Sequence, residues 1–173
     1  MTSPRKAASS AACRKLPERS EIEAFLFHEA ELIDRWELAA WLDLFTDEAI
    51  YWLPLAPDQS SGHDQVSHIY DDRRLLETRV RRAQHALFHA QKPPSRTVHL
   101  VGNVRFAPLQ PADAVAVLSS QIVVEYRNAR TRLLSGTCRH ELTPGGAAGW
   151  RIRLKRLDLI DADGVHEAIS IIV

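Results

Sequence analysis

Two adjacent prolines, Pro93-Pro94, divide the chain into halves with different apolar periods. Before them, apolar residues recur at three- and four-residue steps, the period of a helix with one buried stripe. After them, apolar residues fall at alternate positions, the period of a strand with one buried face. Proline lacks an amide donor and disfavours helix in the residue before it, so no helix runs through the pair. Helices first and strands afterwards specify an α+β fold, with N-terminal helices packed on a curved, mostly antiparallel sheet.

In the helical half, SEIEAFLFHEAELIDRW opens with Ser20 as N-cap and Glu23 completing a capping box. Ile22, Phe25, Leu26, Glu29, Ile33 and Trp36 form its stripe. A second helix over 37–45 carries Leu38, Trp41, Leu42 and Phe45; Thr46-Asp47 breaks it, and AIYWLPL follows as a short strand ended by Pro54. Residues 56–68 have turn composition. The third helix, YDDRRLLETRVRRAQHALFHAQ, begins at Asp71-Asp72, is striped by Leu76, Val80, Ala83 and Leu87, and is stopped by the prolines.

The strand half contains five segments, 96–107, 114–128, 131–142, 150–161 and 165–173. Turn signals separate them at Pro108, Asn128-Ala129, Pro144-Gly145-Gly146 and 161–164. Connections this short specify antiparallel hairpins. In the first segment Val98, Leu100, Val104 and Phe106 share the expected buried face with Gly102. Thr97, His99, Asn103 and Arg105 share the other with Val101, a polar face that suits a subunit contact at least as well as a pocket. In the fourth segment Trp150, Ile152 and Leu154 are out of phase with Leu157 and Leu159, which predicts a β-bulge near Lys155-Arg156.

Several functional classes lack support in this pattern. The 22 basic and 22 acidic residues balance, so no global field favours nucleic acid. No apolar run reaches the roughly 18–20 residues of a membrane span. Residues 1–17 are expected to be a disordered basic tail rather than a secretory signal, and residues 18–173 one domain. Two distant cysteines, Cys13 and Cys138, make neither a disulfide framework nor a zinc site and point to a reducing, cytoplasmic setting. His85 and His89 stand four apart, but Ala86 occupies the place of a metalloprotease base. His63-Asp64 and His68 lie in or beside the loop without ligand spacing. Iron–sulfur ligands, a Gly-rich phosphate loop and a nucleophile elbow are all absent from the sequence.

Acid–base chemistry inside a cone of helices and curved sheet keeps four candidates: Asp34, Tyr51, His99 and His140. Each is more readily read as a hydrogen-bonded residue at a rim or interface. The arginines 73, 74, 79, 81 and 82 alternate with Asp71, Asp72 and Glu77, which favours local ion pairs or a protein contact over nucleic acid.

EIEAFLFHEAELIDRWELAAWLDLF, IYWLPL, IYDDRRLLETRVRR, PPSRTVHLVGNV, YRNARTRLLSGTCRHEL and the apolar C-terminal segment, in this order, resemble the small (beta) subunits of bacterial aromatic-ring-hydroxylating, Rieske non-haem iron dioxygenases of the biphenyl and benzoate type. The resemblance covers most of residues 20–173; at Val98 the relatives often hold a polar or basic residue. It implies a cystatin-like, nuclear-transport-factor-like cone, the fold of scytalone dehydratase and ketosteroid isomerase. It further implies a hexamer of three large (alpha) and three small chains, self-association as a trimer, and electrons delivered through ferredoxin and reductase. The Rieske cluster and mononuclear iron then belong to the large subunit, with no cofactor and no catalytic residue in this chain. Arg79, Arg82, Arg96, His99, Asn103 and Arg105 become interface candidates. Two rivals remain: a stand-alone cone-pocket dehydratase or isomerase using a buried Asp or His, and a ligand-binding cone without chemistry.

Overall fold

The computed structural model describes residues 17–85, 91–109, 114–166 and 168–173. The expected tail therefore lies outside the described residues, Pro17 apart, as do Leu87 and His89. Three helices and six strands follow in the order α1 (Arg19–Asp34), α2 (Leu38–Asp43), β1 (Phe45–Pro54), β2 (Ser67–Asp72), α3 (Arg73–Ala83), β3 (Arg96–Pro108), β4 (Val115–Arg127), β5 (Arg130–Pro144) and β6 (Trp150–Leu159). The strands form one sheet in the order β2-β1-β6-β5-β4-β3. β1 and β6 run parallel, and every other neighbour pair is antiparallel.

Helix α1 buries Ile22, Phe25, Leu26, Glu29, Leu32 and Ile33. It begins earlier than its capping-box signature: Ser20 lies within the helix, and the cap is Glu18, whose carbonyl accepts from the amides of Glu21 and Ile22 without a side-chain cap bond. The early start lets Arg19 donate to the carbonyl of Val104 at 2.7 Å. At the other end Trp36 has φ 58°, and amide bonds from Trp36 to Ile33 and from Glu37 to Leu32 close the helix. The Trp36 indole then donates to the Ser95 carbonyl at 3.2 Å, tying this turn to the start of the sheet.

β1 starts at Phe45, earlier than its sequence pattern indicates. Thr46-Asp47 therefore lies inside the strand, where the pairing with β6 shifts between Phe45 and Ile50. β2 takes the end of the expected loop and the first residues of the expected third helix, pairing Tyr70 with Trp52. Asp72 caps α3 by accepting from the Leu75 amide at 2.8 Å. The helix ends at Ala83, well short of Pro93, so the prolines do not stop it.

Two bulges decide which side chains face inward. In β3 the pairing with β4 shifts between Gly102 and Arg105, and Asn103 sits at φ 54°. Before the shift Thr97 and His99 face the interior while Val98 and Leu100 are exposed; after it Val104 is buried. The expected faces of 96–102 are thus reversed, because one left-handed residue flips the alternation. In β6 the extra residue is Arg153: Ile152 pairs with Leu142 and Leu154 with Glu141. The expected bulge exists but sits two residues earlier, which turns Lys155 into the core and leaves Leu154 half-buried.

The expected fifth strand is not one. Residues 168–173 are irregular, yet Ile171, Ile172 and Val173 are buried. Backbone groups here find side-chain partners instead of a ladder: Tyr51 donates its hydroxyl hydrogen to the Val173 carbonyl at 2.9 Å and accepts from the Val173 amide at 3.1 Å. Gln91 donates to Ser170, and Ser95 donates to Glu125 at 2.5 Å, so the segment is stapled to the start of β3 and to β4.

The helices are joined to the sheet through Glu29. Its carboxylate accepts from Lys155 Nζ at 2.9 Å, from His140 Nε2 at 2.9 Å and from the Trp41 indole at 3.2 Å, with Glu29, His140 and Lys155 all buried. Burial pushes the Glu29 carboxyl upward, but Lys155 and His140 outweigh it and hold it well below the usual carboxylate range. Burial pushes His140 down, while Cys138 and Glu29 raise it to about 9 from 6.5. One carboxylate between two cations is stable only while every partner stays in place.

Glu29→Gln should therefore cost about 3–5 kcal/mol in a denaturant melt, since it leaves Lys155 buried without a counter-charge. His140 contributes stability that is fully present below pH 6.5 and is lost as the pH rises through about 9. Thermal melts across that interval should show the decline in the parent chain and a flattened profile in His140→Gln. In the β4–β5 turn, Asn128 and Ala129 have φ 51° and 59°, a type I′ hairpin whose second position favours glycine. Ala129→Gly should raise the melting temperature, with a gain of about 1 kcal/mol.

Candidate functional site

The four acid–base candidates fall into two separate groups. Asp34 closes α1 and meets β3: its Oδ1 lies 2.6 Å from His99 Nδ1 and accepts from the Thr97 hydroxyl at 2.8 Å, and its Oδ2 accepts from the His99 amide at 2.9 Å. Burial pushes the Asp34 carboxyl up, but the bonds from His99 and Thr97 outweigh it and hold the group below its ordinary value. An ionised carboxylate only accepts, so Nδ1 of His99 carries the proton and donates. Nε2 is then left as the second ring nitrogen. It is buried without a hydrogen-bond partner, on a side chain only 1% exposed.

Tyr51 and His140 belong to the Glu29 network. Burial pushes the Tyr51 phenol up to about 12, and its oxygen is committed to Val173 in both directions. A hydroxyl so placed has no free proton to exchange near neutrality. His140 is held by Glu29 on one nitrogen, with Cys138 Sγ 3.7 Å from the other. Among the described residues the four candidates therefore do not converge on one cavity. Glu29 was visible in the sequence as a lone acid within an apolar stripe. Lys155 was not, because only the exact position of the β6 bulge places it inside.

The interface candidates divide differently. Arg96 lies over the Tyr126 ring at 4.7 Å, Asn103 donates to the Ser120 hydroxyl at 3.1 Å, and Arg105 is exposed. All three share the outer sheet surface with the exposed Val98, Leu100, Leu118, Ile122, Tyr126 and Leu133. The register makes this patch continuous over β3, β4 and β5, with Val98 opposite Val124, Leu100 opposite Ile122 and Val124 opposite Leu133. His99 faces the other way, into the interior, so it is not part of that surface. Arg79 pairs with Asp71 at 2.6 Å, and Arg82 is exposed on α3. Arg73 donates to the carbonyls of Leu42 and Phe45 and to Glu77, so much of the arginine helix is engaged in local pairing.

Three other histidines, His63, His68 and His166, are likewise engaged with protein groups, His166 with the Asp161 carbonyl at 2.6 Å. His63 meets the Tyr70 hydroxyl at 3.2 Å, and His68 meets the Ala162 carbonyl at 2.7 Å. Among the described residues no group of three His, Cys, Asp or Glu side chains is placed to hold a metal ion. Nor is any described helix long and apolar enough to cross a membrane.

Residues 28–163 match the family model of the ring hydroxylating beta subunit. The small oxygenase component of the p-cumate 2,3-dioxygenase system from Pseudomonas putida is 41% identical over 111 residues, which are 63% of this chain and 60% of that component. The match therefore spans less than two thirds of that relative's length. Among solved structures, the beta subunit of benzoate 1,2-dioxygenase from Burkholderia mallei superposes with a TM-score of 0.73 at 27% identity, covering 92% of this chain and 100% of that one. An NTF2-like protein with a cystatin-like fold from Novosphingobium aromaticivorans shares the fold, with a TM-score of 0.58 at 16% identity, over 87% and 85% of the two chains. The cone of α1–α3 on a six-stranded curved sheet is this architecture, and the chain belongs to the family of ring-hydroxylating beta subunits.

Proposed function

We propose that this chain is the small, non-catalytic subunit of a multicomponent dioxygenase that acts on an aromatic ring in catabolism, working in the cytoplasm beside a large subunit that carries the Rieske cluster and the mononuclear iron. The observation that carries the reading is the outer face of β3, β4 and β5. Contiguous exposed apolar side chains on a soluble protein mark an interaction surface, and here they stand among Arg96, Asn103 and Arg105. A surface of this composition, apolar at its centre with arginine and aromatic residues at its border, suits burial against a neighbouring subunit. A hexamer of three large and three small chains, with ferredoxin and reductase as the electron source, completes the reading. The separation of Asp34–His99 from Tyr51–His140 disfavours a stand-alone enzyme built on all four.

Affinity purification of the tagged chain from its native cell, followed by mass spectrometry, should recover a larger partner with Rieske-type iron–sulfur ligands. Substituting Leu100→Glu together with Ile122→Glu should abolish this recovery and reduce the assembled mass in light scattering, while circular dichroism stays unchanged. A parent chain that purifies as a monomer or dimer without such a partner would sink the proposal. So would a variant that assembles as well as the parent.

A further inference from the structure

Three buried side chains on the concave face of β3 and β4 keep a polar atom without a partner: His99 Nε2, Gln121 Nε2 and Ser119 Oγ. They lie close together in the register. His99 is opposite Val123 and Val101 is opposite Gln121, so His99 and Gln121 stand on a diagonal, about 7 Å apart at their Cβ atoms. Ser119 is two residues along the same strand face, again about 7 Å away. Leaving one buried donor or acceptor unsatisfied costs about 1–3 kcal/mol. Three on one patch, in an interior whose Glu29 network is fully bonded, point to a partner from outside the chain.

The atoms define what that partner offers. Asp34 accepts the Nδ1 proton of His99, so in the tautomer selected by this bond Nε2 presents a lone pair and needs a hydrogen donor. The Gln121 amide nitrogen needs an acceptor, and the Ser119 hydroxyl serves either role. A hydroxyl group donates to the first and accepts from the second. A carboxylate brings no proton for Nε2. The buried neighbours of these residues on the same strands, Val117 and Val123, ask for an apolar body behind the hydroxyl. His99 and Val101 also border a groove between α1 and the β3 edge, lined by Phe27, Leu100 and Asp34.

We infer that the concave face around His99, Gln121 and Ser119 is a binding site for a small neutral alcohol or phenol. Asp34 acts there as a positioning residue, fixing the tautomer of the His99 ring. This site is independent of the subunit contact on the outer face, which lies on the opposite side of the same strands, so either reading survives the failure of the other.

The test uses the chain in its native assembly. Crystals soaked with 4-bromophenol should show bromine on the concave face, with the phenol oxygen within about 3.2 Å of His99 Nε2. Calorimetric titration with phenol should give saturable binding that weakens about tenfold in Ser119→Ala and in Gln121→Met, the loss of one hydrogen bond each. Asp34→Asn should weaken it as well and move the His99 ring nitrogen resonances toward the Nε2-protonated tautomer, a change of tautomer that a purely structural aspartate would not produce. Ordered water alone at the three atoms, bromine only elsewhere, or undiminished affinity in both Ser119→Ala and Gln121→Met would each overturn the assignment. If Gln121→Met fails to fold, Ser119→Ala, which removes a single oxygen, still decides the matter.

Discussion

The carboxylate of Glu29 is the point on which the helices and the sheet depend. It is reached from α2 by Trp41, from β5 by His140 and from β6 by Lys155, and it belongs to the helix that packs on β3. Ion pairs of this kind contribute little net stability against an apolar replacement, but removing one partner is severe. Their effect is to select a single arrangement: α1 cannot slide or rotate without stranding two buried cations. The apolar contacts of Trp41 with Phe45 and Tyr51, at 4.8 and 5.9 Å between ring centres, then form around a fixed helix position. With Tyr51 anchored on Val173, these groups fill the β1–β6 side of the cone.

Two irregular residues make this arrangement reachable from a strand-forming sequence. Arg153 shifts the phase of β6 so that Lys155, and not Leu154, meets Glu29. Asn103 does the same for β3, with a wider consequence. Upstream of it the inward side of the strand is polar, carrying Thr97 and His99 to Asp34, and the outward side is apolar, carrying Val98 and Leu100. An edge strand with this inversion serves two purposes at once, an internal hydrogen-bonding group and an external apolar surface. Its open edge is also partly closed by α1 and the turn after it, through Arg19 on Val104, Asp34 on the His99 amide and Trp36 on Ser95. Capped backbone groups of this kind discourage unwanted strand pairing.

Much of this was legible before any coordinates. The change of period placed the three helices before Pro93 and β3 to β6 after it, AIYWLPL gave β1 while β2 was missed, Asn128-Ala129 marked its hairpin, and the phase break in the fourth strand segment announced a bulge. The failures share one physical origin: periodicity reports which residues are apolar, while a single extra or left-handed residue decides where they point. That is why Val98 and Leu100 were expected inside, and why Lys155 went unnoticed. The C-terminal segment failed for another reason. Ile171, Ile172 and Val173 are buried while Val165 is exposed, and Tyr51 and Gln91 supply the hydrogen bonds that a neighbouring strand would have supplied; such tertiary partners leave no local pattern. The third helix buries Leu76 and Val80 of its expected stripe but ends at Ala83, although nothing before Pro93 in the sequence forbids its continuation.

The concave face is therefore not uniform, and the difference bears on what such a subunit can do. On the β5–β6 side, acid and base groups are present but mutually neutralised, their donors and acceptors bonded within the chain. On the β3–β4 side, one imidazole is fixed by a carboxylate at one nitrogen and buried without a partner at the other, beside an amide and a hydroxyl in the same condition. The first arrangement consumes its polar groups in holding the fold; the second holds them in a fixed orientation without using them. Fixed orientation of unsatisfied groups is what recognition of a small molecule requires, and Tyr51 and His140 are committed to the other side. On the reading proposed above, any role of this chain beyond subunit contact is confined to binding at the β3–β4 side.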